Sequence, residues 1–182
     1  MRVRDLRPGE MNAAQRRVVD ATVAGKRGRI PPPLRAWLHS PELADRAQRL
    51  GEFVRYETTL GPALSELAIL VTARFWTAQY EWYAHRREAL KAGVDPAVIA
   101  AIAARRVPDL PDPRARVVYD YATALHTGHR VPQALHDEAV RLLGEAGVVE
   151  LVGLLGYYTL ISMTLNAFAI GLPEGEQPEL AD

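Results

Sequence analysis

Glu81 and His85 stand four residues apart in the stretch Ala78-Gln79-Tyr80-Glu81-Trp82-Tyr83-Ala84-His85, which has helical patterning. That spacing brings both side chains to one face of a helix. A carboxylate beside an imidazole holds one ring tautomer and raises the ring's pKa, which makes a tunable acid or base. The same spacing also suits an exposed ion pair worth roughly 0.2–0.5 kcal/mol. Trp82 and Tyr83 crowd this helix and point to packing. Glu66 lies upstream among Leu64, Leu67, Ala68, Ile69, Leu70 and Val71. A glutamate in such a run faces solvent or is buried with a partner. Arg74, two turns along, is one partner; a group on another helix is the alternative.

Tyr80, Tyr157, Tyr158 and Asn166 can line a pocket. Tyrosine hydroxyls act at a fixed reach, and an asparagine can orient a carboxylate or carbonyl. The same residues on an apolar helix also serve as satisfied core groups. His126 and His129 have a metal-like spacing, but they sit at a helix end beside Gly128, where a cation near the helix dipole is the simpler account. No Glu-x-x-His pair is present, so the sequence does not predict a ferritin-like di-metal bundle. No P-loop, Gly-x-Gly-x-x-Gly or Gly-x-Ser-x-Gly occurs either.

The elements that must position these groups read as helices throughout. Asn12 is placed to cap a helix to about Ala24, stopped by Gly25 and Gly28. Pro31-Pro32-Pro33 reads as a stiff extended connector, followed by a short apolar turn at Leu34, Trp37 and Leu38. Ser40 and Pro41 open a helix expected to carry Leu43, Ala47, Leu50 and Val54 inward. Pro62 opens the helix of Glu66, and the motif helix runs from about Ala78 to Lys91, ending at Gly93. Asp95-Pro96, Arg114 and Pro132 begin three more, and Gly147 precedes a long apolar one. After Gly171 a tail rich in Pro and Glu reads as surface chain.

With 182 residues the chain suits one domain with a proper core. Lys and Arg total 22, as do Asp and Glu, so there is no basic excess for a phosphate backbone and nucleic acid is not the expected partner. Cysteine is absent, which excludes disulfides, thiolate metal sites and intrinsic thiol peroxidase chemistry. The first residues lack a signal-peptide stretch, so a cytoplasmic location is the expectation. Leu151 to Leu172 carries no charge and is long enough to span a bilayer. Its glycines, Ser162, Thr159, Thr164 and Asn166 favour a buried helix instead, with no membrane role. A helix apolar all round needs cover on every side, and in a chain this short a partner subunit is the expected cover.

The Glu81/His85 segment, with Glu66 on the preceding helix, resembles the motif of the carboxymuconolactone decarboxylase / alkylhydroperoxidase D-like family. The peroxidase branch carries Cys-x-x-Cys-x-x-x-His there; the two cysteine positions fall on Ala78 and Glu81, the histidine on His85 and the upstream glutamate on Glu66. The resemblance covers Leu64 to about Ile102 and again Val149 to Phe168. It implies an all-α helical bundle, oligomeric as a trimer or hexamer. The implied division is an N-terminal helical extension over 1–60, a core over 61–172 with an insertion around 103–147, and a tail over 173–182. It further implies a proton relay coupling Glu66 to His85, with Glu66, Glu81 and His85 catalytic; Tyr80, Tyr158 and Asn166, from their own chemistry, are the expected substrate-binding residues. The expected activity is proton transfer on a small carbonyl or lactone acid, by decarboxylation or isomerisation, with no cofactor and no metal. The alternatives are an oligomeric scaffold or small-molecule binding protein that kept the fold, and a redox partner whose cysteines lie on another chain.

Overall fold

The computed structural model describes residues 1–181. The described residues form eight α-helices and no strand. In chain order they are α1 (Ala13–Ala24), α2 (Pro32–Trp37), α3 (Pro41–Tyr56), α4 (Pro62–Phe75), α5 (Gln79–Lys91), α6 (Pro96–Ala103), α7 (Pro113–Thr123) and α8 (Gln133–Ala167). A single 3-10 turn precedes α1, and a π-turn over Ala124–Gly128 follows α7.

Local chemistry sets most of the helix starts. Asn12 accepts from the Gln15 amide while the Gln15 side chain accepts from the Asn12 amide, a reciprocal cap. Asp95 and Asp112 accept from the amides of Ala97 and Arg114. Proline occupies the first turn of α2, α3, α4, α6 and α7, where its missing N–H has no intrahelical partner to lose. Pro32 and Pro33 are thus the first residues of α2, and the expected extended connector shortens to Pro31.

α4 is the central helix. It packs against α5, α7 and α8, and every residue from Leu64 to Arg74 is buried. α8 breaks at Gly144, whose φ of 75° and ψ of 163° are open to glycine, three residues earlier than the expected boundary at Gly147. α8 is long and apolar enough to cross a membrane by length and composition, and 56% of its most apolar stretch is buried within the fold.

The first sixty residues wrap onto this frame. α1 packs on α3, and α2 and α3 pack on α8. The Trp37 indole donates to Thr164 Oγ1 at 2.9 Å, and the Gln15 amide to the Leu38 carbonyl at 2.9 Å. α3 is rotated from the expected phase. Ala44, Ala47, Gln48, Gly51 and Val54 face inward, while Leu43 and Leu50 are exposed. The small residues set this phase: a Cβ on Gly51 would lie 2.1 Å from the Tyr157 hydroxyl, so only glycine admits that contact.

The tail does not run free. Gln79 donates to the Leu180 carbonyl at 2.7 Å and accepts from the amides of Glu179 and Leu180. Trp82 and Tyr83 donate to Glu179 and Glu176, and the Leu180 side chain is buried. The tail therefore straps the outer face of α5.

Candidate functional site

Glu66 comes from α4, and Glu81 and His85 from α5. The two helices pack along each other and join through the short segment 76–78, where Thr77 adopts a left-handed φ of 45°. The Ala78 amide donates back to the Ala73 carbonyl at 2.9 Å, which closes the turn. This hairpin sets Glu66 opposite His85.

Glu66 Oε2 lies 2.6 Å from His85 Nδ1, and Glu81 Oε1 lies 3.0 Å from His85 Nε2. All three residues are buried. A protonated ring donates from both nitrogens and satisfies both carboxylates at charge-assisted distances. Burial alone would push the imidazole down; the charges and hydrogen bonds of Glu66 and Glu81 outweigh it and raise His85 from 6.5 to about 9. Arg74, the other candidate partner for Glu66, turns elsewhere and donates to the carbonyls of Ala103 and Ala181 and to Thr77 Oγ1.

A narrow cavity of about 50 Å³ opens beside Glu81 and His85. That is room for a few waters or a small ligand group. Tyr80, Tyr157 and Tyr158 line it, as do Arg27, Arg29 and Arg55. The Tyr158 ring meets the His85 ring edge-on, with centroids 5.0 Å apart. Burial pushes the Tyr157 hydroxyl up to about 12 and Tyr158 well above 10, so both remain hydrogen-bond donors beside the cavity. Burial also raises Tyr80, against the pull of Arg29. For Arg55, burial disfavours the charge, but Tyr158, Tyr56, Glu66 and Glu81 hold the guanidinium more firmly protonated. A second, open cleft of about 560 Å³ lies on the other side of the cluster, bordered by Glu66, Glu88 and Arg55. Glu66 thus touches the open cleft, and Glu81 the narrow cavity.

The structure brings together Glu66, Glu81, His85, Tyr80 and Tyr158. It does not bring Asn166 to them. Asn166 is exposed near the end of α8, and its amide donates to the Trp76 carbonyl at 2.8 Å. It satisfies a carbonyl that the end of α4 leaves without an intrahelical donor. The His126 and His129 pair also separates: His126 is buried against Thr72, and His129 is exposed in a left-handed conformation. Among the described residues, no group of three or more His, Cys, Asp or Glu side chains is arranged to hold a metal ion.

Sequence reasoning missed Arg27, Arg29 and Arg55. The first two sit in the loop after α1, where Gly25 and Gly28 signal only a helix stop. Nothing local indicates that this loop folds back over α5. Arg55 lies near the end of α3 and reads as a solvated charge.

Residues 41–124 match the model of the carboxymuconolactone decarboxylase family, from the start of α3 to the end of α7. No curated protein matches the chain in sequence. An uncharacterized peroxidase-related protein from Silicibacter sp. TM1040 is similar in structure, with a TM-score of 0.75 and 15% identity over 96% of this chain and 91% of that one. The alkylhydroperoxidase AhpD core of an uncharacterized peroxidase-related protein from Ralstonia eutropha JMP134 gives a TM-score of 0.77 and 13% identity over 95% and 92%. At such identities the likeness is one of fold. The central segment 41–124 thus matches the carboxymuconolactone decarboxylase family, and the whole chain shares the fold of the alkylhydroperoxidase AhpD core, with no cysteine at either motif position.

Proposed function

We propose that this protein is a cofactor-free proton-transfer enzyme of the carboxymuconolactone decarboxylase-like type, acting on a small carbonyl or lactone acid by decarboxylation or isomerisation. The observation that carries the reading is the buried His85 held between Glu66 and Glu81 at the wall of a cavity. Both ring nitrogens are engaged, so the group that exchanges a proton with substrate is Glu81, and His85 reloads it.

In a decarboxylation the bond between the carboxylate carbon and the neighbouring carbon breaks. Carbon dioxide leaves, and the electron pair delocalises onto the adjacent carbonyl as an enolate. In this reading the Tyr157 and Tyr158 hydroxyls, from the cavity wall, donate to that oxygen, where negative charge develops. Glu81 delivers one proton to carbon, having received it from His85 Nε2. Glu66 returns a proton to Nδ1 from the open cleft. The sum is one carboxylate and one proton giving carbon dioxide and the protonated product. Isomerisation uses the same Glu81, first as base and then as acid.

The test is incubation with a panel of oxaloacetate, acetoacetate and carboxymuconolactone in D2O, followed by NMR. Wild-type protein is expected to release carbon dioxide from, or introduce deuterium into, at least one of these, and Glu81→Gln is expected to lose that activity. No turnover or exchange above the protein-free control would overturn the reading. It would favour the rival, a small-molecule binding protein that kept the fold, which the occupation of both His85 nitrogens supports.

The assembly belongs to the same proposal. Val149, Val152, Leu160 and Met163 on α8 are exposed around Gly153 and Gly156, and a Cβ on Gly156 would meet nothing within 4 Å. A second copy of this chain fits such an uncharged stripe, giving a trimer or hexamer. A monodisperse monomer in sedimentation at micromolar concentration would refute it.

A further inference from the structure

The loop joining α1 to α2 lies outside the segment the family match covers, yet it forms one wall of the cavity. Its position is fixed from α3. The Lys26 amide donates to Glu52 Oε1 at 3.2 Å, and Lys26 Nζ pairs with Glu57 at 2.9 Å. Arg27 therefore enters the cavity from an anchored backbone. Its Nη2 lies 3.4 Å from the Tyr157 hydroxyl. Its Nε is buried and has no hydrogen-bond partner among the described residues. A buried, charged donor left without an acceptor is costly unless a ligand supplies one.

The charges around the cavity favour the same kind of ligand. Glu66 and Glu81 contribute two negative charges, and protonated His85 with Arg55 contributes two positive ones. Among the groups lining the cavity, Arg27 and Arg29 remain as uncompensated cations. Gly51 completes the arrangement: a Cβ there would fall 2.1 Å from the Tyr157 hydroxyl and 2.5 Å from Arg27 Nη2. The α3 backbone is thus cut back where the Arg27–Tyr157 pair sits.

We propose that Arg27, seated over Gly51 beside Tyr157, is the anchor for a carboxylate of a small acid, whose other end lies against Glu81 and His85. Arg27 Nε and an Nη nitrogen present the planar fork that binds a carboxylate in bidentate fashion. Arg29, more exposed, stands at the entrance and adds attraction for anions. The inference rests on the proton-transfer reading for the reacting end only; the anchor itself is a binding site and is testable without turnover.

The experiment is titration of the full-length protein with acetate and succinate, using acetamide and succinamide as neutral controls, followed through the Arg27 Nε–H resonance and by calorimetry. At least one carboxylate is expected to shift that resonance and to bind about tenfold or more tightly than its amide. Arg27→Met is expected to abolish the preference. Arg27→Lys is expected to keep part of it, because the charge stays while the fork is lost. Gly51→Ala is expected to weaken carboxylate binding in a protein whose circular dichroism is unchanged. Equal binding of acids and amides, or carboxylate affinity unchanged in both Arg27 variants, overturns the anchor. The wild-type protein separates the two readings. Carboxylate binding to it with no turnover of any substrate leaves the anchor standing and removes the enzyme. Turnover that survives Arg27→Met with unchanged KM does the reverse.

Discussion

Two buried histidines lie against α4 and behave in opposite ways. His85 is 4% exposed and His126 9%. His85 sits between two carboxylates and is raised to about 9. His126 meets only a neutral hydroxyl, Thr72 Oγ1 at 2.9 Å, and stacks on Phe75 with ring centroids 4.8 Å apart. Burial therefore lowers it from 6.5. Burial is nearly the same in both places; the partners decide whether the ring keeps its proton. One histidine is a charged ring held between two carboxylates, and the other is a flat, neutral core group that happens to contain nitrogen.

The strongest way to break this contrast is His85→Ala. It leaves two buried carboxylates facing each other with only Arg55 as a nearby compensating cation, and removing one side of a buried ion pair costs on the order of 3–5 kcal/mol. Urea unfolding is expected to show a loss of that size, and activity on a responsive substrate should become undetectable. A stability within 1 kcal/mol of wild type, on the scale of an exposed pair, would show that the cluster carries no such weight.

Glu66→Gln sharpens the comparison without emptying the site. The amide oxygen can still accept from Nδ1, but the negative charge nearest the ring is gone. The His85 titration, read from its ring nitrogens by NMR, is expected to move down from about 9 toward the range of an ordinary histidine. Turnover should fall by roughly 10²–10⁴-fold, the usual contribution of general acid–base catalysis. An unmoved titration would mean that Glu66 is not what holds the proton.

The two rings also predict opposite limbs in stability against pH. His85 is raised in the folded state, so its contribution is full below about 6.5 and is lost as pH rises through about 9. His126 is lowered, so it contributes no penalty above 6.5 and an increasing one as pH falls through that value. Unfolding free energy is therefore expected to drop between pH 6.5 and 9.5, and the drop should vanish in a Glu66→Gln, Glu81→Gln double variant. Persistence of the same drop in the double variant would assign it to other groups.

The smallest effect is expected at Thr72→Val. It removes the hydroxyl that bonds both His126 Nε2 and the Ala68 carbonyl while keeping the shape, at a cost of about 1–3 kcal/mol. Catalysis and the His85 titration should be unaffected, because the two histidines share no partner. A shift in the His85 signal would reveal coupling along α4.

Much of the helical frame was legible because its signals are local. The Asn12 and Asp95 caps and the prolines at helix starts act within one turn. The pairing of Glu81 with His85 needs only the four-residue helical repeat. The phase of α3 was not legible: Leu43 and Leu50 looked like core until Tyr157, a hundred residues away, required Gly51 to face inward. The tail's strapping of α5 depends likewise on Gln79 meeting a backbone it does not adjoin in sequence. At the candidate site the chain by itself determined the residue types, the absence of thiol chemistry and the i, i+4 pair. Tertiary structure alone decided that Glu66 reaches His85 and Arg74 does not bridge to Glu66, that Asn166 ends on the Trp76 carbonyl, and that Arg27 and Arg29 wall the cavity. The reason is physical: a helix fixes the direction of a side chain relative to its neighbours within a turn or two, whereas the partner across a helix interface is set by how whole surfaces interlock.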